Sequence, residues 1–125
     1  TLVEGQLHGG ILQGAGQVLG EHCFYDASGQ LLTGSFMDYP MPRADMLGGT
    51  KLQLHDHSVP SPTNPLGVKG AGEAGTTGAL PAAANAVIDA LRPLGIHHLD
   101  FPFSAARVWQ AIQAAPIPHR GNQGS

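Results

Sequence analysis

The sequence predicts an α+β domain in which helices pack on a small mixed or antiparallel sheet. Three helix-like apolar patterns and four short strand-like runs lie along its 125 residues, and a chain of this length forms one domain around one core. The 18 Gly and 10 Pro indicate that loops are numerous. We expect the domain to cover residues 1–115 and the Gly- and Pro-rich tail of residues 116–125 to be disordered.

The first helix is predicted over residues 2–20. Apolar side chains recur there at spacings of three and four residues, which is typical of one helix face. They are Val3, Leu7, Ile11, Ala15, Val18 and Leu19. The same segment carries Gly5, Gly9, Gly10, Gly14 and Gly16, each of which costs about 0.5–1 kcal/mol relative to Ala in a helix. Because something has to offset this cost, we expect a neighbouring backbone to approach the helix closely.

Short strands are predicted next. Residues 22–26 and 30–34 flank the link formed by residues 27–29, a pattern typical of a hairpin. Residues 51–55 alternate polar and apolar side chains, as a half-buried strand does. Residues 96–101 are compatible with one more short strand.

A second helix is predicted after a glycine-rich segment. Its buried face consists of Leu80, Ala84, Val87, Ile88 and Leu91. We expect Thr76 or Thr77 to be its N-cap, and Pro93 and Gly95 to end it.

A third helix is predicted to begin at the capping residue Ser104 and to end before Pro116. Val108, Trp109 and Ile112 are its expected core residues.

Composition excludes several classes of function. The net charge is -3, and the six Lys and Arg form no basic cluster, which argues against nucleic acid and against anionic membrane surfaces as partners. No apolar run is long enough to span a membrane, and we expect no signal peptide, because the first residues lack a charged start followed by an apolar run. Cys23 is the single cysteine, so no disulfide or thiolate metal site is expected, and a cytoplasmic location is the default.

Metal ligands from the protein are not expected either. Two neutral imidazoles such as His55 and His57 rarely make a site without a third ligand, and the adjacent His97 and His98 would face opposite sides of a strand. Charged residues make up only 12% of the chain, about half the usual fraction. Part of the surface is therefore expected to be covered by something else.

The most informative segment is the glycine-rich loop before the second helix. Gly70, Gly72 and Gly75 match GxGxxG, but the prolines just upstream and the position of Asp89 inside a helix argue against a dinucleotide fold. The remaining interpretation is a helix N-terminus that attracts anions. Glu73 lies within this loop. Either it is a helix N-terminal acid, or it is a general base in a dry pocket.

Three stretches of the chain form a distinctive set, EGQLHGGILQGAGQVLGE, DYPMPRADML and NPLGVKGAGEAGTTGALPAAANAVIDAL. Together they resemble the C-terminal end of the molybdopterin-binding large subunit in the xanthine dehydrogenase, aldehyde oxidase and aerobic carbon monoxide dehydrogenase family of molybdenum hydroxylases. The resemblance runs from residue 3 to residue 112. It departs at Gly48 and Gly49, where relatives tend to have proline, which puts the geometry of that loop in question.

The resemblance implies specific roles for residues. Glu73, in the GxGE motif, corresponds to the catalytic base of the family. Lys69, Gly70, Gly72 and Ala74 are implied neighbours of the cofactor. The turn from Gln13 to Gln17 is implied to pack around the pterin, which assigns Gln13, Gly14 and Gln17 to cofactor binding. The alternative for this helix is a glycine-rich helix that packs tightly on a sheet.

The resemblance also implies cofactors and partners. The cofactor is molybdopterin with molybdenum, in the cytosine dinucleotide form, and the protein supplies almost no metal ligand. Cys23 does not match the copper-binding position of the carbon monoxide branch, so copper is not inferred. Implied partners are the remainder of the large subunit, a small subunit with iron–sulfur clusters and a medium subunit with FAD.

The implied reaction is oxidative hydroxylation of a small molecule with water as the oxygen source. Carbon monoxide, an aldehyde, a purine or an N-heterocycle is the expected substrate, and the chain alone is expected to be inactive. From the residues themselves two alternatives stay open. One is a stand-alone, non-catalytic domain that binds a phosphate-bearing ligand at the glycine loop, and the other is a remnant without a ligand.

Overall fold

The computed structural model describes residues 2–47 and 50–116. In these ranges helix α1 spans Leu2–Leu19, α2 spans Ala74–Leu91 and α3 spans Ala105–Ala114. Short 3₁₀ turns lie at Ala44–Leu47 and Arg92–Leu94. The predicted departure at Gly48 and Gly49, and the predicted disordered tail from residue 117 onward, lie outside the described residues. None of the helices within these ranges has the length and apolarity needed to cross a membrane.

Helices α1 and α2 form the main packing unit, and glycines make their close contact possible. A Cβ atom added to Gly10 would lie 2.9 Å from the backbone N of Thr76. One added to Gly14 would lie 2.9 Å from the Cβ of Ala79. On the other side, a Cβ at Gly75 would overlap the carbonyl oxygen of Leu7. The expected close approach of a neighbouring backbone to the glycine-rich helix is therefore confirmed.

The start of α2 differs from the prediction. Glu73, and not Thr76 or Thr77, is the N-cap residue, and its side chain makes no capping hydrogen bond. The helix begins one turn earlier because both threonines already lie within it. The hydroxyl of Thr77 donates to the Glu73 carbonyl oxygen at 3.2 Å, which gives that threonine a partner inside the first turn.

The end of α2 agrees with the sequence. Leu91 is 6% exposed, and the helix continues into the 3₁₀ turn that contains Pro93. Gly95 then adopts a left-handed conformation with φ of 80°, which a residue without a side chain adopts at little cost.

Helix α3 begins as predicted, but its core face was assigned wrongly. Ser104 accepts a hydrogen bond from the backbone N–H of Arg107 at 3.3 Å. Before it, the Phe103 N–H donates to the Val18 carbonyl oxygen at 2.6 Å and ties this segment to the end of α1. Trp109, however, is 62% exposed. Within the described chain, the apolar face of α3 packs against little other surface.

The expected sheet is not found among the described residues. In the predicted hairpin, one antiparallel bridge joins Tyr25 and Leu31. Asp26 closes this turn by accepting hydrogen bonds from the backbone N–H groups of Ser28 and Gln30 at 2.8 and 2.9 Å. Residues 51–55 and 96–101 form no strand. The sheet of the α+β prediction is therefore not confirmed in the described part of the chain, because these runs have no partner strand within it.

The segment after the turn folds back on α1. The Tyr39 hydroxyl donates to Glu21 Oε1 at 3.3 Å, and burial together with the Glu21 carboxylate raises the pKa of Tyr39. The Pro42 ring lies directly against Gly16, where an added Cβ would come within 3.1 Å of its Cδ. The DYPMP stretch thus caps the C-terminal half of α1.

Candidate functional site

The glycine loop is held from its upstream side by a compact turn. Asn64 contacts Val68 twice: its Nδ2 donates to the Val68 carbonyl oxygen at 3.0 Å, and its Oδ1 accepts from the Val68 N–H at 3.1 Å. The Ser61 N–H donates to the Gly67 carbonyl oxygen at 2.9 Å. Gly67 has a φ of 64°, which favours glycine. These contacts fix the chain immediately before Lys69.

The downstream side of the loop is held by the contact between the two helices. Gly75 is buried in the first turn of α2, against the backbone of α1. Glu73 lies two residues earlier, so its main chain is positioned relative to α1 by this contact. The sequence alone assigns no role to Asn64, and its GxGxxG pattern relates Gly75 to a nucleotide motif instead of to packing. The Asn-Pro pair is a turn signal that points to the first of these residues.

The Glu73 side chain is exposed in this chain. Within the described ranges its carboxylate makes no hydrogen bond or ion pair, and it caps no N–H group of its own helix. Both oxygens are therefore available to accept a proton or a hydrogen bond. The N-terminus of α2 beside it contributes the positive end of a helix dipole.

The loop backbone next to Glu73 is open. A Cβ added at Gly70 or Gly72 would meet no heavy atom within 4 Å. In the described part of the chain, the backbone N–H groups of residues 70–73 donate no hydrogen bond. Lys69 and Ala74, at the two ends of this stretch, are exposed as well. The loop thus presents several backbone donors and one cation to an acceptor-rich group.

The three residues selected on α1 fall into two groups. Gln13 is exposed, and its Oε1 accepts from the Thr76 hydroxyl at 3.4 Å, which brings it to the first turn of α2. Gln17 is exposed one turn further along. Gly14 is buried against Ala79 and Leu80 of α2, so it packs tightly on a helix and not on the sheet that the alternative named, whereas the side chains of the two glutamines are exposed.

A cavity lies under the upstream part of the loop. Val3, His57, Val59, Lys69, Gly70 and Ala71 are among the residues that line it. In the described residues, no cluster of three His, Cys, Asp or Glu side chains is suited to a metal ion.

Comparison with known proteins identifies the class of domain. A family model described as a molybdopterin cofactor-binding domain matches residues 1–47. The carbon monoxide dehydrogenase large chain of Hydrogenophaga pseudoflava is 39% identical over 113 residues, which cover 90% of this chain and 14% of that protein. The nicotine 6-hydroxylase large subunit of Paenarthrobacter nicotinovorans is 40% identical, again over 90% of this chain and 14% of that protein.

Solved structures agree with these matches. The crystal structure of quinoline 2-oxidoreductase from Pseudomonas putida 86 superposes with a TM-score of 0.82 at 39% identity, over 91% of this chain and 14% of that one. The chain belongs to the family of molybdopterin-binding large subunits of molybdenum hydroxylases. It spans 11–14% of the length of the curated relatives it matches. These comparisons lend no support to a stand-alone phosphate-binding domain.

Proposed function

We propose that this chain is a piece of an oxidoreductase large subunit in which Glu73 is the general base of an oxidative hydroxylation. The observation that supports this best is the exposed Glu73 carboxylate on an open glycine loop, which two independent sets of contacts hold in place. The sequence identity of 39–40% with large subunits of oxidoreductases supports this type of reaction. The chain alone is expected to be inactive.

The residues present fit molybdopterin with molybdenum. The cofactor carries a phosphate and many hydrogen-bond acceptors, and the loop offers unpaired backbone N–H groups at residues 70–73 together with the Lys69 ammonium. Gln13 and Gln17 add side-chain amides from α1. When bound, the cofactor supplies the two-electron redox chemistry. The backbone at Gly70 and Gly72 has no side chain to keep such a group at a distance.

Glu73 then acts on a proton. A carboxylate oxygen of Glu73 accepts the proton that is lost when water becomes the oxygen donor to the substrate, and it holds this proton until release. Lys69 and Ala74, at the two ends of the loop, are exposed like Glu73 itself. The contact of Gly75 with α1 keeps Glu73 from moving away when its charge changes.

We further propose the cytosine dinucleotide form of the cofactor and a cytoplasmic complex with an iron–sulfur subunit and an FAD subunit. The relatives are named as a large chain and a large subunit, and one more as subunit gamma of a complex. The substrate class proposed is a small molecule such as carbon monoxide, an aldehyde, a purine or an N-heterocycle. The remainder of the large subunit completes the substrate pocket.

The test is Glu73→Gln in the complete subunit, assembled with its partner subunits. We expect substrate-dependent reduction of a dye to fall by about 10²–10⁴-fold, while the molybdenum content measured by elemental mass spectrometry stays unchanged. Asp89→Asn is the matched control, because Asp89 is an exposed carboxylate of α2 that lies 3.6 Å from Arg92 and far from the loop. Activity retained in the Glu73→Gln subunit would reject the role of base.

A further inference from the structure

Residues 50–57 have an unusual backbone. They belong to no helix, strand or turn. Within the described ranges, none of them donates or accepts a backbone–backbone hydrogen bond. The local hydrogen bonds here come from the Asp56 carboxylate, which accepts from the N–H and the hydroxyl of Ser58. Backbone N–H and C=O groups in native proteins are almost always paired with protein or water, so a run of eight such residues presents a continuous set of available donors and acceptors.

The side chains of this segment follow the period of a strand. Polar and apolar residues alternate from Lys51 to His55, which places Leu52 and Leu54 on one face and Gln53 on the other. Leu52 is half-buried and Leu54 is 37% exposed. The pattern and the unpaired backbone are independent observations, and both describe a strand without a neighbour.

The segment also adjoins the candidate site. Leu54 and Asp56 line a cavity together with Val3 and Leu7 of α1. His57, the last residue of the segment, lines the cavity under the glycine loop with Lys69. A partner that fixes residues 50–57 would therefore also fix one wall of the space beside the loop.

We infer that residues 50–57 form a β-strand by pairing with a strand of the remainder of the large subunit, with Leu52 and Leu54 facing the core of that subunit. The inference rests on the proposed function, because it requires that this chain is a piece of a larger subunit. The match covers 14% of the Hydrogenophaga pseudoflava large chain, so about 86% of that protein lies outside the matched region. Addition of a strand to an open edge uses main-chain hydrogen bonds for affinity and alternate side chains for register.

The first test compares amide hydrogen exchange in residues 51–57 between this chain alone and a complete subunit. The complete subunit is a chimera in which this sequence replaces the matching segment of the Hydrogenophaga pseudoflava carbon monoxide dehydrogenase large chain. We expect exchange in the chimera to be slower by at least about 100-fold. Equal rates in both proteins would overturn the inference. So would slow exchange in the isolated chain that increases with its concentration, because that result indicates pairing with a second copy.

The second test uses the face that the strand would bury. Leu52→Asp combined with Leu54→Asp should lower the soluble yield of the chimera at least tenfold, whereas Gln53→Asp on the opposite face should not. Neither change should alter the circular dichroism of the isolated chain. Equal yields for the two variants, or a chimera that is insoluble with the unchanged insert, would count against the strand. The exchange readout does not need turnover, so a Glu73→Gln chimera that keeps its protection separates this inference from the proposal for the base.

Discussion

Substitution of Gly75 by alanine tests the packing that positions the candidate site. The added Cβ would overlap the carbonyl oxygen of Leu7 and lie 3.0 Å from the backbone N of Ile11. Both atoms belong to the backbone of α1, so neither moves away by a simple side-chain rotation. The two helices have to separate to accommodate the methyl group.

The expected cost follows from two opposing effects. Replacing glycine by alanine in a helix interior stabilises the helix by up to about 1 kcal/mol. Overpacking of a close contact costs roughly 1–3 kcal/mol. Gly78→Ala in the same helix is the matched control, because its Cβ would meet no heavy atom within 4 Å. The gain in helix propensity applies to both variants, so the free energy of unfolding of Gly75→Ala should lie roughly 1–3 kcal/mol below that of Gly78→Ala.

The assay is urea unfolding of the two variants, followed by far-ultraviolet circular dichroism. We expect the midpoint for Gly75→Ala to fall and that for Gly78→Ala to rise relative to the original chain, with similar slopes. Equal midpoints for the two variants would show that the contact between α1 and α2 does not depend on the absence of a side chain at Gly75. The start of α2 would then not be positioned by the contact of Gly75 with α1.

Three further predictions concern the periphery of the site. Gly16→Ala should destabilise the chain by roughly 1–3 kcal/mol, because its Cβ would meet the Pro42 ring, and Pro42→Ala added to it should restore most of the loss in the same urea assay. Ser104→Ala should cost about 1 kcal/mol and speed amide exchange in the first turn of α3, which Ser104→Asp should not do. The Ser28 hydroxyl holds the pKa of Asp26 below its ordinary value, so the turn gains this stabilisation above about pH 3.9 and loses it as the pH falls through the lowered pKa. The NMR shift of the Ser28 amide should follow that loss, and Asp26→Asn should abolish its pH dependence.

The helices were predictable because their signals are local. Spacing of apolar residues predicted α1 and α2, Ser104 predicted the start of α3, and Gly95 predicted the end of the preceding turn. The glycine content of α1 also predicted a close neighbour, since the cost of those residues needs an offset. These features depend on the chain within a few residues, or on one packing partner.

The strands were not predictable from alternation alone, because a strand needs a partner that alternation does not specify. Residues 51–55 have the pattern and lack the partner within the described chain. The prediction that Trp109 is a core residue was wrong for a related reason. An amphipathic pattern indicates that one face of a helix is apolar, but it does not indicate what covers that face. At the site, the sequence indicated the loop and Glu73, whereas the packing role of Gly75 required the position of α1.

The distribution of apolar side chains connects these results. Among the described residues the buried apolar side chains are Val18, Leu91 and Phe103, whereas Phe36 is 82% exposed and Met37 is 93% exposed. A pair of helices that meets through glycines needs few large side chains to stay together, because the backbones themselves supply the close contacts. The start of α2, with Glu73, is therefore held by local packing, while apolar surface further out is left uncovered. Extensive exposed apolar surface is characteristic of interaction sites, and this distribution supports the proposal that a larger subunit surrounds a locally fixed base.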